Sequence, residues 1–554
     1  MTLTYRDHHA TDADQRDWTL PRVLRARAAE RPDHVFVDAP TWGVRMTYAE
    51  VLATAERIGS GLLARGHEVG DRVVLMMPNN PEYLLAWFGS AVAGMVEVPI
   101  NTAYRGAFLE HQVRTVEPSA AVIVPEYAER FVESAQACSA IRRFYLVGAG
   151  DEVEAAAERL RGAGFEAEPF AVLPTSDAPA DGVLPEVDYR DLGGIFFTSG
   201  TTGLSKGVAM SHSHLYFFAD QGASLVRLTG DDVYLSVGPL FHGNAQFLAA
   251  YPAMIKGARF VLHEKFSASR WTDWIRESGA TVTNLVGVMS DFLWKQPERP
   301  DDADNVLRCV WAVPNPSRIA DAFKARFGIA ELVENFGLTE VSMPILTPYG
   351  VPRPPGAAGL EVADWFEVRL VDPATDVEVP TGEVGELVVR PRTPWTICSG
   401  YHNMPEKSFE AMRNGWFHTG DGLRQDEDGW YYFVDRLKDA IRRRGENISS
   451  YELEQAILSH PDVAEVAVVA VPADGEGAED EVMAVLVARD GADLDAEVLW
   501  AYFDERIPAF AVPRFLKVVD ALPTTPSGKL QKAPLRAAGR DGALDRTALA
   551  PAAR

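Results

Sequence analysis

Cysteine is scarce in this chain. There are three in 554 residues, Cys138, Cys309 and Cys398, far apart and without a CxxC spacing. That excludes a disulfide framework and suits a reducing compartment. Basic residues are also short, with 53 lysines and arginines against 79 aspartates and glutamates, a formal net charge of −26. A field of that sign repels phosphate backbones and anionic lipids, which argues against a nucleic-acid partner. Long apolar runs are missing too: no stretch nears the ~18 residues a membrane helix requires. The opening "MTLTYRDHHATDADQRDW" is polar and acidic, unlike a signal peptide. The expectation is a cytoplasmic protein without membrane insertion. No internal repeat is visible, and the sequence sets no oligomeric state.

What is present is an ordinary globular composition, 47% hydrophobic and 24% charged, on a chain too long for one core. "MTYAEVLATAERIGSGLLARG" opens with Thr47 and Glu50 at capping-box spacing, and Val51, Ala55, Ile58 and Leu62 keep helical period. "DRVVLMMP", "VEVPIN" and "AAVIV" read as buried strands, and "NPEYLLAWFGSAVAG" as a helix ending at Gly94. Strands recurring between helices predict parallel sheets covered on both faces. From "FEVRLVD" through "GELVVR" short strands with Gly/Pro turns take over, as in a β-rich subdomain. After Asp435–Lys438 the pattern changes again, to an α+β unit. The last stretch, "AAGRDGALDRTALAPAAR", is Ala-rich and uncapped and is expected to be a frayed tail.

One loop breaks the packing logic. After the strand "GGIFF" come Thr198, Ser199, Gly200, Thr201, Thr202 and Gly203, and then Lys206. Backbone N–H groups in such a loop form an anion nest to which hydroxyls and a lysine add donors. Loops of this composition also serve as plain linkers. The spelling fails the Walker pattern, since Lys206 follows Ser205 and Gly207 stands where Ser or Thr is needed.

"TSGTTGLSKG" instead resembles the phosphate loop of the adenylate-forming superfamily, which comprises acyl-CoA synthetases, peptide-synthetase adenylation domains and luciferases. Further stretches resemble that family in its order. In "ENFGLTE" the resemblance places Asn335 and Phe336 at the adenine, with Phe336 stacking where tyrosine is usual. It gives Gly337 the backbone approach, Thr339 the α-phosphate and Glu340 the Mg²⁺. In "GWFHTGD" it puts Asp421 on the ribose hydroxyls, and a carboxylate suits that role by having two acceptor oxygens. In "YFVDRLKD" it makes Arg436 a ribose or phosphate contact and Lys438 the hinge. "LPTTPSGKLQK" resembles the loop that presents a catalytic lysine, here Lys529. His242 in "PLFHGNAQ" resembles the gate beside the acyl pocket, although a histidine among apolar neighbours is also an ordinary core residue.

The resemblance implies an α/β fold. It consists of a large N-terminal domain of packed α/β lobes with a β-rich subdomain, 1–436, and a small mobile α+β C-terminal domain, 437–554. It implies ATP, Mg²⁺ and coenzyme A, with a small-molecule acid activated as an acyl adenylate and passed to the thiol. Two departures modify this. Relatives carry Gly-Gly-Ala-Pro where this chain has "CVWAVPNPSRIADAF". If Trp311 faces the pocket, its indole fills the room a long acyl chain needs, and the acid is short or compact; it could equally point into the core. In "IRRRGENISS" Arg444 replaces a glycine, so Arg443, Arg444 and Gly445 either meet coenzyme A or belong to a solvated basic run. Other acceptors (an amine or a carrier-protein thiol), nitrite activation, luciferase-like oxygenation and an inactive scaffold are the alternatives.

Overall fold

The computed structural model describes the chain except residues 1–2, 178–183, 199–203, 287–288, 314, 317–318, 437–439, 444–445, 474–478, 490, 524–529, 531 and 550–554. Its contacts divide it into two units. One comprises Met1–Thr102, Val113–Phe196 and Gly207–Asp435; the other comprises Ala103–Gln112, Phe197–Lys206 and Arg436–Arg554.

The larger unit is built on two seven-stranded sheets. In the first, the strands run in the order Glu166–Pro169, Arg143–Leu146, Ala120–Ile123, Arg72–Met76, Val96–Pro99, Leu192–Thr198 and Lys206–Ser211. The pairings from Glu166–Pro169 through to Leu192–Thr198 are parallel. The second runs Glu331–Val333, Cys309–Val313, Val282–Val286, Val233–Ser236, Arg259–Leu262, Val35–Ala39 and Val44–Thr47. It is parallel except for the last hairpin.

Local chemistry accounts for the helices between them. Tyr48–Ala64 starts on the full capping box, with Thr47 accepting from the Glu50 amide and Glu50 reaching back to the Thr47 amide. Pro81–Val92 starts on Asn80, whose side chain accepts from the Tyr83 amide. Gly94 follows it at φ +71°, a conformation glycine adopts without steric penalty. The β-rich part is a four-stranded sheet of Phe366–Val371, Val384–Pro391, Phe417–Gln425 and Tyr431–Arg436. Two expectations, parallel sheets between helices and a later all-strand section, are therefore met.

The smaller unit carries a sheet of Val463–Pro472, Asp480–Ala488, Phe515–Val518 and Leu544–Asp545. The helices Ser450–Leu458 and Ala496–Arg506 belong to the same unit. Leu453, Ile457, Val468, Trp500 and Phe503 share its core. The expected frayed tail is corrected here. Leu544–Asp545 pairs antiparallel with Phe515–Leu516, and a short helix, Arg546–Leu549, follows. The anchor is polar, which is why an apolar period does not reveal it. Arg514 donates to both oxygens of Asp545, at 3.1 and 2.8 Å, and Asp545 also accepts from the Thr547 amide.

Those donors hold the Asp545 carboxyl at about 2, against an ordinary 3.8, the Arg514 hydrogen bond being the largest cause. A depressed carboxyl contributes its stability above the unfolded value and loses it as pH falls through the folded one. The native chain should therefore lose more stability than Asp545→Asn between 3.8 and about 2. Thermal melts of both proteins across that window test this; parallel curves would contradict it.

Candidate functional site

The "ENFGLTE" stretch folds as a hairpin. Asn335–Leu338 pairs antiparallel with Ser342–Leu346, and Thr339, Glu340 and Val341 form the turn. The turn is tight enough to require glycine at 337: a Cβ there would lie 2.3 Å from the Ser342 carbonyl oxygen. Ser342 itself sits at φ +58°, a left-handed conformation held by its neighbours. Ser342 Oγ donates to the Thr396 carbonyl.

Glu340 is buried. Its Oε1 accepts from Tyr401 Oη at 3.0 Å, and its carbonyl accepts from the Cys398 amide at 2.8 Å. Burial first, and then the Glu340 charge, push the Tyr401 phenol far above its ordinary value, so it stays a donor. The segment around Tyr401 also lies along the strand that leaves the hydroxyl-rich loop. The Ala209 amide donates to Gly400, the Ser399 amide to Ala209 and the His402 amide to Gly207. A side chain from "SGYHNMPE" thus links that strand to the turn carrying Glu340. No local pattern marks Tyr401 in the sequence; only the fold brings it here.

The aromatic face of the motif is shared. Phe336 stacks with Phe433 at 6.3 Å between ring centroids and 26° between planes. Phe433 is half exposed and lies on Tyr431–Arg436, whose last residue is Arg436. In the same four-stranded sheet, Phe417–Gln425 carries Asp421, which is 3% exposed. The bulge in the strand beside Asp421 is braced from one carboxylate. Glu386 accepts from the Gly420 amide at 3.0 Å, meets His418 Nδ1 at 3.0 Å and accepts from Arg413 at 3.3 Å. Burial would raise the Glu386 carboxyl, but the His418 hydrogen bond and the other partners outweigh it and hold it below the ordinary value. Thr419 Oγ1 accepts from the Asp421 amide and donates to Leu387. "GELVVR" reads in the sequence as a strand only, and nothing in that pattern marks Glu386 as the residue that braces the backbone beside Asp421.

Of its two alternatives, the structure places the Trp311 side chain in the core. It is 1% exposed and part of the main core. A Cβ placed on Gly222, in helix His212–Leu225, would lie 2.9 Å from Trp311 Cζ3 and 3.3 Å from the Phe247 carbonyl oxygen. The indole therefore fills the space between its strand, that helix and the segment after His242. Its Nε1 donates to Asn335 Oδ1 at 2.9 Å, tying it to the hairpin of Phe336 and Glu340. Behind that hairpin Glu334 accepts from the Asn315 amide and pairs with Arg353. Burial is the largest influence on Glu334 and raises its carboxyl.

His242 is half-buried and precedes the short helix Gly243–Ala245; its ring lies 4.8 Å from Phe241. Thr198 ends one strand and Lys206 begins the neighbouring one in the first sheet. Ser199, Gly200, Thr201, Thr202, Gly203, Lys438, Arg444, Gly445 and Lys529 lie outside the described residues. The reading of Arg443 is corrected. It is neither solvated nor offered to a ligand, because its guanidinium is buried, donates to the Phe510 and Val512 carbonyls and pairs with Glu481 at 2.7 Å.

Residues 24–402 match the family model of AMP-binding enzymes, and residues 452–529 match that of the AMP-binding enzyme C-terminal domain. A crotonobetaine/carnitine–CoA ligase of Salmonella typhi is 33% identical over 498 residues, 89% of this chain and 93% of that protein. The ATP-bound structure of MatB from Rhodopseudomonas palustris superposes with a TM-score of 0.65 at 27% identity, covering 94% of this chain and 99% of that one. An o-succinylbenzoate CoA synthetase from Bacillus subtilis shares the fold with a TM-score of 0.76 at 24% identity, over 93% and 98% of the two chains. Among the described residues no helix is long and apolar enough to cross a membrane.

Proposed function

Because this chain belongs to the AMP-binding enzyme family, we propose that it is an ATP-dependent acid–CoA ligase for a short or compact carboxylic acid. In the first half-reaction a carboxylate oxygen attacks the α-phosphorus of ATP, forming the acyl adenylate and releasing pyrophosphate. In the second, the thiol of coenzyme A attacks the acyl carbon and AMP leaves. The observation that carries this reading is the junction of Glu340, Tyr401 and the strand leaving the hydroxyl-rich loop, together with Asp421 beside its braced bulge.

The roles proposed are those the family resemblance implies, and each suits its side chain. Thr198, Ser199, Gly200, Thr201, Thr202, Gly203 and Lys206 hold the phosphates through backbone amides, hydroxyls and an ammonium. Asn335, Phe336 and Gly337 receive the adenine, Asp421 and Arg436 the ribose, and Thr339 the α-phosphate. Lys529 places a positive charge where negative charge gathers in the transition state. His242 gates the acid pocket that Trp311 shortens. Residues 1–436 act as the adenylation domain and 437–554 as a mobile domain hinged at Lys438, so that one site serves two steps. The protein works in the cytoplasm.

A divalent cation fits this donor set. Among the described residues no group of three His, Cys, Asp or Glu side chains is assembled for a metal. Mg²⁺ commonly needs only one or two carboxylates, completing its shell with water and substrate phosphates. Glu340 would hold it, and the ion would supply charge neutralisation at the phosphates. Tyr401→Phe removes the hydroxyl that orients Glu340. It should raise the Mg²⁺ concentration for half-maximal adenylation by about tenfold, in line with the loss of other outer-shell partners. It should also weaken Mn²⁺ binding to the enzyme–nucleotide complex, read by paramagnetic resonance. Unchanged metal dependence would remove Tyr401 from this role.

The test of the function is pyrophosphate release from ATP across short, aromatic and long acids and nitrite, with and without coenzyme A, with products identified by mass. A coenzyme A thioester of a compact acid is expected. Release indifferent to coenzyme A would move the second step to an amine or carrier-protein thiol, and release specific to nitrite would move the first. No release with any of them would overturn the reading.

A further inference from the structure

Three polar side chains beside Trp311 have no role in the assignments above. In the second sheet, Val233–Ser236, Val282–Val286 and Cys309–Val313 lie side by side in parallel register. Asn284 stands opposite Trp311. Leu235 stands opposite Thr283, which makes Ser236 the next residue along, opposite Asn284. In-register neighbours share a face of the sheet, so Ser236, Asn284 and Trp311 form one row across three strands.

Ser236 is fully buried and Asn284 is 2% exposed. Asn284 Nδ2 donates to Asn244 Oδ1, and Asn244 is half-buried in the helical turn that follows His242. Asn284 Oδ1 and Ser236 Oγ have no hydrogen-bond partner among the described residues. A protein interior pairs nearly all such groups, and an unpaired one calls for an explanation. The core gains nothing from them, since leucine and alanine would occupy these two positions without an unmet polar atom.

We propose that Ser236, Asn244 and Asn284 form the polar end of the acid pocket and select a compact acid bearing a hydroxyl away from its carboxylate. This rests on reading His242 and Trp311 as the pocket's gate and wall. The chemistry of the two unpaired atoms narrows the substrate. Asn284 Oδ1 is an acceptor only, and the Ser236 hydroxyl can donate or accept. A substrate hydroxyl donates to the first and accepts from the second, so one group satisfies both. A second carboxylate would set a charged acceptor against Asn284 Oδ1. A quaternary ammonium has no proton to donate. An alkyl terminus leaves both atoms as they are, buried and unmet.

The experiment compares butyrate with its 3- and 4-hydroxy derivatives, measuring pyrophosphate release and kcat/KM in the intact enzyme. At least one hydroxy acid should be preferred by about tenfold or more, because a pocket built to hydrogen-bond a hydroxyl discriminates against the analogue lacking it. Asn284→Leu, similar in size but without the acceptor, should bring the ratio to one or below, and Ser236→Ala should reduce it. Thermal melts establish that both variants are folded. Equal use of butyrate and its derivatives by the native enzyme overturns the proposal, as does a preference that both folded variants retain. Failure to release pyrophosphate with any acid, hydroxylated or not, is a different result, and it overturns the ligase reading itself.

Discussion

Replacing Lys529 with alanine is expected to cut pyrophosphate release about a hundred- to a thousandfold, while a supplied acyl adenylate is still converted to thioester at close to the native rate. The loss is the size seen when one fixed donor is removed from a developing oxyanion. When a carboxylate attacks the α-phosphate, both reactants are already anionic and the transition state gathers the charge at one centre. Lysine, with an ordinary pKa of ~10.4, arrives protonated. Transfer to a thiol starts from the adenylate and expels AMP, and it makes no call on that ammonium. The asymmetry between the half-reactions is therefore the informative readout. Acetylation of Lys529 should reproduce the alanine result, because it removes the charge while keeping the chain length. Equal loss in both half-reactions would show that Lys529 holds the site together rather than acting on the first step.

Trp311→Ala should change three quantities together. The side chain is 1% exposed and fills the gap beside Gly222, and large-to-small substitutions of buried aromatics cost about 3–5 kcal/mol. The melting temperature should fall by several degrees. With Trp311 as the wall of the acid pocket, as proposed, the vacated volume lengthens that pocket, and medium-chain acids should become substrates. Asn335 loses the indole donor, at 2.9 Å, that fixes its side chain, and KM for ATP should rise. Trp311→Phe separates these effects, since it keeps most of the volume but no N–H. It should show the ATP effect without the change in acid length. A Trp311→Ala enzyme that is folded but still refuses longer acids would place the limit on acid size elsewhere.

The parts of this fold that were legible in advance rest on short-range chemistry. The Thr47–Glu50 capping box, the Asn80 cap and Gly94 each announce a helix boundary within a few residues. The sheets follow from alternating apolar strands and helices. The residues of "ENFGLTE" and "GWFHTGD" are equally local, because each motif is seven consecutive residues. What stayed hidden depends on partners far along the chain. Tyr401 meets Glu340 across 61 positions, and Glu386 meets the backbone beside Asp421 across 34. The row of Ser236, Asn284 and Trp311 exists only because three strands pair in a particular register. Arg443 looked like part of a basic run because a run of charges suggests solvent; Glu481 and two carbonyls take it inward.

The end of the chain has a further meaning for the lysine. Phe515 pairs with Asp545 and Leu516 with Leu544, so the chain leaves this strand pair and returns to it, and Lys529 falls between the two in the sequence. Lys532 adds a second fastening, donating to Ser450 at 2.7 Å and pairing with Glu454 at 2.6 Å. A closed loop confines its contents to a small volume, whereas a chain with one free end explores far more space. If Lys529 acts as proposed, these two fastenings together set the effective concentration of its ammonium. Removing the residues after Gly542 together with Lys532→Ala would release both fastenings while leaving Lys529 in the chain, and adenylation should weaken although no proposed reacting group has been touched.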